Sequence, residues 1–258
     1  MTKAAAVLTA DGGEGPETGV QRRLNVIKRD TLKERIYREV KKALLGGRFD
    51  PGEAITVRRL EEEMGAGIMP IRETLQRLVA EGALMNLPNG RVRVPHLTAD
   101  EFDEIKEIRL RVEGLAAWRA AMRRSDEDLA GIRACHDRLN TLLTSRGRWS
   151  EIMESNYDFH FSVYRAAHGA HLLSVIDSLW LRVGPLLALP FKMPNEARDN
   201  YVATHHRTHT DLTEALADRD ARSAEAAVRE ILLASAAWYH RHHQFSQELL
   251  AVGSQREE

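Results

Sequence analysis

Residues 57–82 read VRRLEEEMGAGIMPIRETLQRLVAEG, two helical patterns separated by Gly65-Ala66-Gly67. Thr56 can cap the first pattern, and Pro70 falls in the first turn of the second, where its missing N–H is tolerated. Apolar residues at helical spacing form the inner faces of both patterns: Val57, Leu60, Met64, Ile71, Leu75, Leu78 and Val79. Two short helices joined by a tight glycine turn predict a helix-turn-helix.

A further helix precedes this unit and a hairpin follows it. Residues 32–44 carry a large apolar side chain at every fourth position, and Gly46-Gly47 ends the run. Two short β-prone runs, 84–87 and 91–94, flank Pro88-Asn89-Gly90, and Asn-Gly is a strong hairpin signal. Three helices followed by a two-stranded wing predict a winged helix-turn-helix domain over residues 23–96.

The charge of the chain is unevenly distributed. The net charge of all 258 residues is -1, yet residues 20–97 hold 16 Lys and Arg against 10 Asp and Glu, while residues 98–258 hold 20 against 25. A basic segment beside an acidic one suggests that only the first meets a polyanion. Together with the winged helix layout, this charge indicates double-stranded DNA as a partner.

The rest of the chain shows long amphipathic helical patterns without strand alternation. We predict helices at residues 99–123, 126–145, 150–168, 170–188, 195–217 and 220–243. Short links between them predict an all-α bundle of six to seven helices over residues 97–245, and bundles hold ligands between facing helices. The fold is therefore predicted to be mainly α, with a disordered tail at 1–22 and a second tail at 246–258.

Composition excludes several classes of protein. With 43 % hydrophobic and 29 % charged residues, the chain is neither disordered nor a membrane protein. No apolar run approaches the roughly 18 residues of a membrane span, and the N-terminus lacks a signal-peptide layout, so we expect a cytoplasmic protein without a membrane partner. The single cysteine, Cys135, excludes an intrachain disulfide, a zinc ribbon and a CxxC redox site.

These segments resemble the GntR family of bacterial transcription regulators, in the subfamily with a FadR-type effector domain. On the DNA side, the resemblance rests on residues 44–52 (LLGGRFDPG), residues 70–78 (PIRETLQRL) and the Asn89-Gly90 wing. On the effector side, it rests on Phe159-His160 and on His209 with the residues that follow it. The resemblance implies a regulator that binds a palindromic operator as a homodimer and responds to a small organic acid.

The resemblance also implies which residues meet DNA. Those positions are Arg58, Gly67, Ile68, Met69, Arg72, Asn89, Gly90 and Arg91. Family members begin the recognition helix with a hydroxyl residue and an arginine, where this chain has Gly67 and Ile68. An apolar Ile68 cannot make the bidentate contact of arginine to guanine, so either the operator is read differently here or Ile68 contacts a thymine methyl. Arg58 could instead be a solvated surface charge beside Arg59.

In many relatives the effector domain binds a divalent metal through Asp-x-x-x-His on one helix and two later histidines. Here the first position is Asn156, followed by His160, while His209 fits the third position and Ile231 the fourth. Losing the carboxylate and one imidazole argues against a standard metal site, and no cofactor is certain. His205 could supply a third imidazole for Zn²⁺ or Ni²⁺. The alternative is a metal-free pocket in which these side chains hydrogen-bond the effector directly.

Two arginines complete the predicted effector site, Arg109 and Arg182. Arg109 could contact the ligand or form an intrahelical pair with Glu113, and Arg182 lies beside Trp180 on an apolar helix. Trp118, Trp180 and Trp238 are most simply aromatics of the core or of a dimer interface. A metallo-enzyme built on the histidine cluster is the rival hypothesis. The chain lacks a paired Glu-x-x-His and any nucleophile-base constellation, so we do not expect an enzyme.

Overall fold

The structure, a computed structural model, describes residues 32–145, 147–192, 195–242 and 245, without the side chains of residues 89 and 195–197. The predicted tails at 1–22 and 246–258 lie outside these residues. The helices are α1 (Leu32–Leu45), α2 (Val57–Met64), α3 (Ile68–Ala80), α4 (Ala99–Arg123), α5 (Asp126–Thr144), α6 (Trp149–Arg165), α7 (Ala170–Leu187), α8 (Leu189–Lys192), α9 (Asn195–Ala217) and α10 (Ala221–His242). The strands are β1 (Ala54–Ile55), β2 (Met85–Asn86) and β3 (Val92–Arg93).

The first three helices and the strands form the winged helix-turn-helix. Thr56 caps α2 by accepting a hydrogen bond from the Arg59 backbone, and Gly65 ends α2 in the left-handed conformation, with φ of 59°. Helix α3 buries Ile71, Leu75 and Leu78 against α1. The wing is a three-stranded antiparallel sheet of order β1-β3-β2, in which β1 pairs with the central strand. The prediction of a two-stranded wing was therefore one strand short.

The remaining helices form the predicted all-α bundle. Thr98 and Ser125 each begin a helix with a reciprocal capping box, which fixes the starts of α4 and α5. Helix α4 packs against four other helices of the bundle, α6, α7, α9 and α10. A short helix, α8, lies in the link between the predicted helices 170–188 and 195–217.

The two domains contact each other through α1, which packs on α6 and α7. The two domains approach closely at Gly184, where an added Cβ would lie 2.9 Å from the Leu45 Cα. Ion pairs of Lys41 with Asp177 and of Lys42 with Glu154 border this contact. A movement of α6 or α7 would therefore act directly on α1 of the DNA-binding domain.

Residues 170–192 form one stretch that is apolar and long enough to cross a membrane, judged by length and composition alone. More than half of it is buried within the protein. Its main helix, α7, packs against α1, α4 and α6, which is the environment of a core helix.

Candidate functional sites

The start of α3 presents apolar side chains to solvent. Gly67 precedes the helix, and the exposed fractions of Ile68 and Met69 are 47 % and 61 %. Arg72, one turn later, is also exposed and forms no ion pair with the described part of the chain. Exposed apolar residues at a helix start have no role in the core, so this face is free to meet another molecule.

The two neighbouring arginines of α2 differ in how they are held. Arg59 pairs with both Glu53 and Glu63, whereas Arg58, whose side chain is 87 % exposed, pairs with Glu62 alone among the described residues. Arg58 is therefore the more available of the two. In the wing, Gly90 has a φ of 71° and Arg91 is exposed, on the same domain as α3. The DNA-contact residues remain predictions.

A second candidate site is a buried polar cluster inside the bundle. Arg109 Nε donates to Glu113 Oε1 at 2.6 Å, and Trp180 Nε1 donates to the same oxygen at 3.1 Å. The Tyr164 hydroxyl donates to Glu113 Oε2 at 2.5 Å. Arg109 is 7 % exposed and Glu113 is fully buried. The intrahelical pair exists, but its burial and its three donors make it the centre of a network and not a surface ion pair.

Histidines extend this network from α6 to α9. His160 Nδ1 lies 3.1 Å from the Tyr164 hydroxyl, and His160 Nε2 lies 3.0 Å from His209 Nε2. His209 Nδ1 donates to the His205 carbonyl at 2.6 Å. The His205 ring stacks on the His209 ring, with centroids 3.7 Å apart. The structure thus brings His160 of α6 together with His205 and His209, which lie one turn apart on α9.

Counting protons constrains this chain. From Glu113 to the His205 carbonyl there are four hydrogen bonds in series, and each needs one proton. Neutral Tyr164, His160 and His209 supply three. All four bonds are made only when one further proton binds, and because Arg109 already balances Glu113, the cluster then carries a net positive charge. An anion bound next to the cluster would balance that charge.

Burial controls the ionisation of the histidines. Burial, with neighbouring His209 and Arg109, holds the pKa of His160 well below its usual value. Burial, with neighbouring His205, does the same to the pKa of His209, and burial lowers the pKa of His205 to about 3. Burial therefore favours the neutral form of each of the three imidazoles.

A small cavity of about 30 Å³ borders the cluster. Its walls include Arg109, Asn156, His160 and His205. Asn156 Oδ1 and His205 Nδ1 are buried without a hydrogen-bond partner among the described residues. Buried polar atoms without partners are costly, and a bound polar ligand that reached them would remove the cost.

The donor set does not fit a resident divalent metal. His160 and His209 direct Nε2 atoms at one another, but His205 lies parallel to His209, so its ring nitrogens do not point at the same place. Asn156 contributes at most a neutral amide oxygen, and Ile231 offers no donor at all. Two converging imidazoles without an anionic ligand are half of the usual shell. The described residues contain no group of three or more His, Cys, Asp or Glu placed to hold a metal.

One predicted effector residue lies elsewhere. Arg182 is exposed, and its guanidinium carbon lies 3.0 Å from where a Cβ of Gly82 would stand, so it sits at the junction between the domains. Helical spacing placed it beside Trp180 but could not show that the two side chains leave α7 in different directions. Tyr164, which the sequence analysis missed, lies one turn after His160, and that spacing could have identified it.

Comparisons with known proteins match both halves of the chain. Residues 32–94 match the family profile described as bacterial regulatory proteins of the gntR family, and residues 104–234 match the FCD domain. The chain is 28 % identical over 206 residues to the HTH-type transcriptional regulator McbR of Escherichia coli K12, which covers 80 % of this chain and 91 % of McbR. It is 26 % identical to the uncharacterized HTH-type transcriptional regulator YdhC of Bacillus subtilis 168, over 74 % of this chain and 84 % of YdhC.

Solved structures agree with these matches. The structure of E. coli McbR superimposes with a TM-score of 0.73, over 82 % of this chain and 98 % of that one, at 28 % identity. A GntR regulator from Rhodococcus sp. RHA1 superimposes with a TM-score of 0.67 over 82 % of this chain and 99 % of its own length, at 16 % identity, and therefore supports the fold alone. These relatives are regulators, and none of them favours the metallo-enzyme hypothesis.

Proposed function

This chain belongs to the GntR family of bacterial regulatory proteins, in the group that carries an FCD domain, and on that premise we propose that it binds a palindromic operator as a cytoplasmic homodimer and releases or engages it in response to a small organic acid. DNA is the partner of the winged helix-turn-helix, and the acid is the ligand of the buried cluster in the bundle.

The exposed start of α3 supports the operator contact. Ile68 and Met69 would face base edges in the major groove, where apolar side chains contact thymine methyls, and Arg72 would reach a guanine or a phosphate. Arg58 and Arg91 would contact the backbone, from α2 and from the wing. Most of the affinity would then come from phosphates and most of the sequence preference from α3.

The cluster supports an acid as the effector. Arg109 offers a buried permanent cation, and His160 and His205 offer neutral ring nitrogens at the same cavity. A carboxylate entering the cavity would pair with Arg109 and would stabilise the further proton that the hydrogen-bond chain lacks. Asn156 would complete the ligand contacts as a neutral hydrogen-bonding group.

The observation that carries the proposal is the path of α7. Trp180 on this helix donates to Glu113 at the cluster, and Gly184, one turn further on, lies against the backbone of α1 in the DNA-binding domain. A ligand that moved Glu113 or Trp180 would move α7. Because α7 is tightly packed against the backbone of α1 at Gly184, that movement would shift α7 relative to α1. Ligand binding and DNA binding would thus share one rigid element.

The outer face of α4 supports the homodimer. Its exposed apolar side chains follow a single stripe: Ile108, Leu115, Trp118 and Met122. Exposed acidic residues lie towards the start of the helix, including Glu104 and Glu107, while exposed Arg111 lies at its middle and exposed Arg123 at its end. An antiparallel pair of α4 helices about a two-fold axis would bury the stripe and place the acidic half of one copy against the basic half of the other.

The proposal is tested by selecting operator DNA from a random library and measuring binding by fluorescence anisotropy at several salt concentrations. We expect Arg72→Ala to weaken binding by about 1 to 3 kcal/mol if it contacts a base, or to flatten the salt dependence if it contacts a phosphate. Arg133→Ala removes an exposed arginine from α5 and serves as the control. Absence of any selected sequence, or equal effects of the two substitutions, would contradict the proposal.

A further inference from the structure

A groove of about 570 Å³ lies between α9 and α10, next to the small cavity of the buried cluster. Its walls are largely apolar and include Ile231, Ala234 and Trp238, while its rim carries the exposed Arg241. The cavity beside Arg109 holds only about two waters by its volume of about 30 Å³. A ligand larger than a few atoms therefore needs room outside the cavity, and the groove provides it.

The two spaces share a wall. Tyr201, His205, Ile231 and Ser235 line both the groove and the cavity. The Tyr201 and Ser235 hydroxyls lie 3.3 Å apart and link α9 to α10 across that wall. A ligand can break this single hydrogen bond between two side chains, and so connect the groove with the cavity, without disturbing the backbone of either helix.

Unpartnered polar atoms lie along the same line. His205 Nδ1 is buried in the shared wall without a hydrogen-bond partner among the described residues, and so is Trp238 Nε1 in the wall of the groove. Both residues are more than nine-tenths buried. Arg241 forms no ion pair with the described part of the chain and follows Ser235 by six residues on α10, which is about 9 Å along the helix axis.

We propose that the groove is the outer half of the effector site and that the effector is an elongated dicarboxylic acid, with its inner carboxylate at Arg109 and its outer carboxylate at Arg241. The apolar walls take the chain between the two carboxylates, and Tyr201 and Ser235 separate to admit it. This inference rests on the proposed function, because it extends the acid site of the bundle outwards by a second cationic contact.

The experiment compares suberate with octanoate, which has the same number of carbons but lacks the second carboxylate, by calorimetric titration of the full chain. We expect suberate to bind more tightly, and Arg241→Gln to weaken suberate about tenfold or more while changing octanoate less than about twofold, as the loss of one charge-assisted hydrogen bond predicts. Arg222→Gln, an exposed arginine at the start of the same helix, is the matched control.

Trp238→Phe keeps the aromatic wall of the groove and removes the unpartnered indole N–H. Because octanoate has no second carboxylate in the groove, this substitution should also weaken the binding of suberate more than that of octanoate. If both acids bind the wild type equally and Arg241→Gln changes neither, the outer site is wrong while the acid effector stands. If neither acid binds and neither alters operator affinity, the outer site and the acid effector both fall. If Arg222→Gln acts like Arg241→Gln, the effect is one of general charge and the outer site is wrong.

Discussion

Gly184 of α7 lies directly against Leu45 of α1. A Cβ added to Gly184 would stand only 2.9 Å from the Leu45 Cα and 3.1 Å from the Leu44 carbonyl oxygen. These atoms belong to backbone, which cannot turn aside as a flexible side chain does. The effector domain and the DNA-binding domain are therefore fitted at a position where only glycine is accommodated without movement.

Gly184→Ala should push α7 away from α1. We expect a loss of about 1 to 3 kcal/mol of unfolding free energy, as for other overpacked contacts, and a weaker effect of the effector on operator binding. Gly131→Ala is the control, since nothing lies within 4 Å of its added Cβ, and it should stabilise the exposed helix by about 0.5 to 1 kcal/mol. Denaturant unfolding of both variants measures their stabilities, and anisotropy on operator DNA measures the effect of the effector. Equal stability of the two variants would show that the contact between α7 and α1 adjusts to the added methyl group.

Helix positions were largely predictable from sequence because their signals are local. The predicted helix over 195–217 matches α9, and the predicted helix over 150–168 differs from α6 by at most three residues. Apolar periodicity and capping residues such as Thr98 and Ser125 carry this information along the chain itself. Strand β1 was missed because Ala54 and Ile55 are too few to show alternation, and they form a strand only by pairing with β3.

The site was only partly predictable because it depends on contacts between helices. Asn156, His160, His205, His209 and Arg109 do line one cluster or its cavity. That Glu113 receives Arg109, Tyr164 and Trp180 at once follows from the packing of α4, α6 and α7, and no spacing within one helix encodes it. Arg182 shows the converse error, since an apolar helix also has an outward face.

Ile68→Arg should restore the family's residue at the recognition helix and change sequence preference. We expect selected operators to gain guanine at one position in each half-site, because arginine makes a bidentate contact to that base. Selection from random DNA, followed by sequencing of the bound pool, measures the change against the wild type. Ala130→Arg adds the same charge at an exposed position of α5 and should leave the selected sequence unaltered. An unchanged motif for Ile68→Arg would show that position 68 faces no base.

Leu115→Glu should separate the homodimer by placing a charge at the centre of the exposed stripe on α4. Its side chain is 40 % exposed in the single chain, so the fold should tolerate the substitution. Light scattering should show a monomer in place of a dimer, and operator affinity should fall because one half-site cannot supply full affinity. Leu233→Glu replaces another exposed leucine, on α10, and is the control. A Leu115→Glu protein that remained dimeric would place the interface elsewhere.

Acid should destabilise the unliganded protein through its buried histidines. Burial lowers the pKa of His205 to about 3. At a pH below the ordinary pKa of histidine, His205 therefore binds a proton in the unfolded chain but not in the folded one. The free energy of unfolding consequently falls as the pH falls. From pH 7 to pH 5, His205 alone should account for up to about 2 kcal/mol. His205→Gln should flatten this slope in urea unfolding, while exposed His206→Gln should not. Identical slopes for wild type and His205→Gln would contradict the burial argument.

The untagged protein should retain clearly less than one divalent metal per chain after dialysis. Asn156 and Ile231 stand where the family's carboxylate and fourth histidine would be, and each missing ligand should weaken binding by at least the 10- to 100-fold loss typical of outer-shell changes. Asn156→Asp combined with Ile231→His should restore those donors and raise zinc or nickel content towards one per chain. Elemental analysis of both proteins measures this, with His160→Ala added to the double variant to remove the metal again. Near-stoichiometric metal in the wild type, lost in His160→Ala, would instead make His205 the third imidazole ligand.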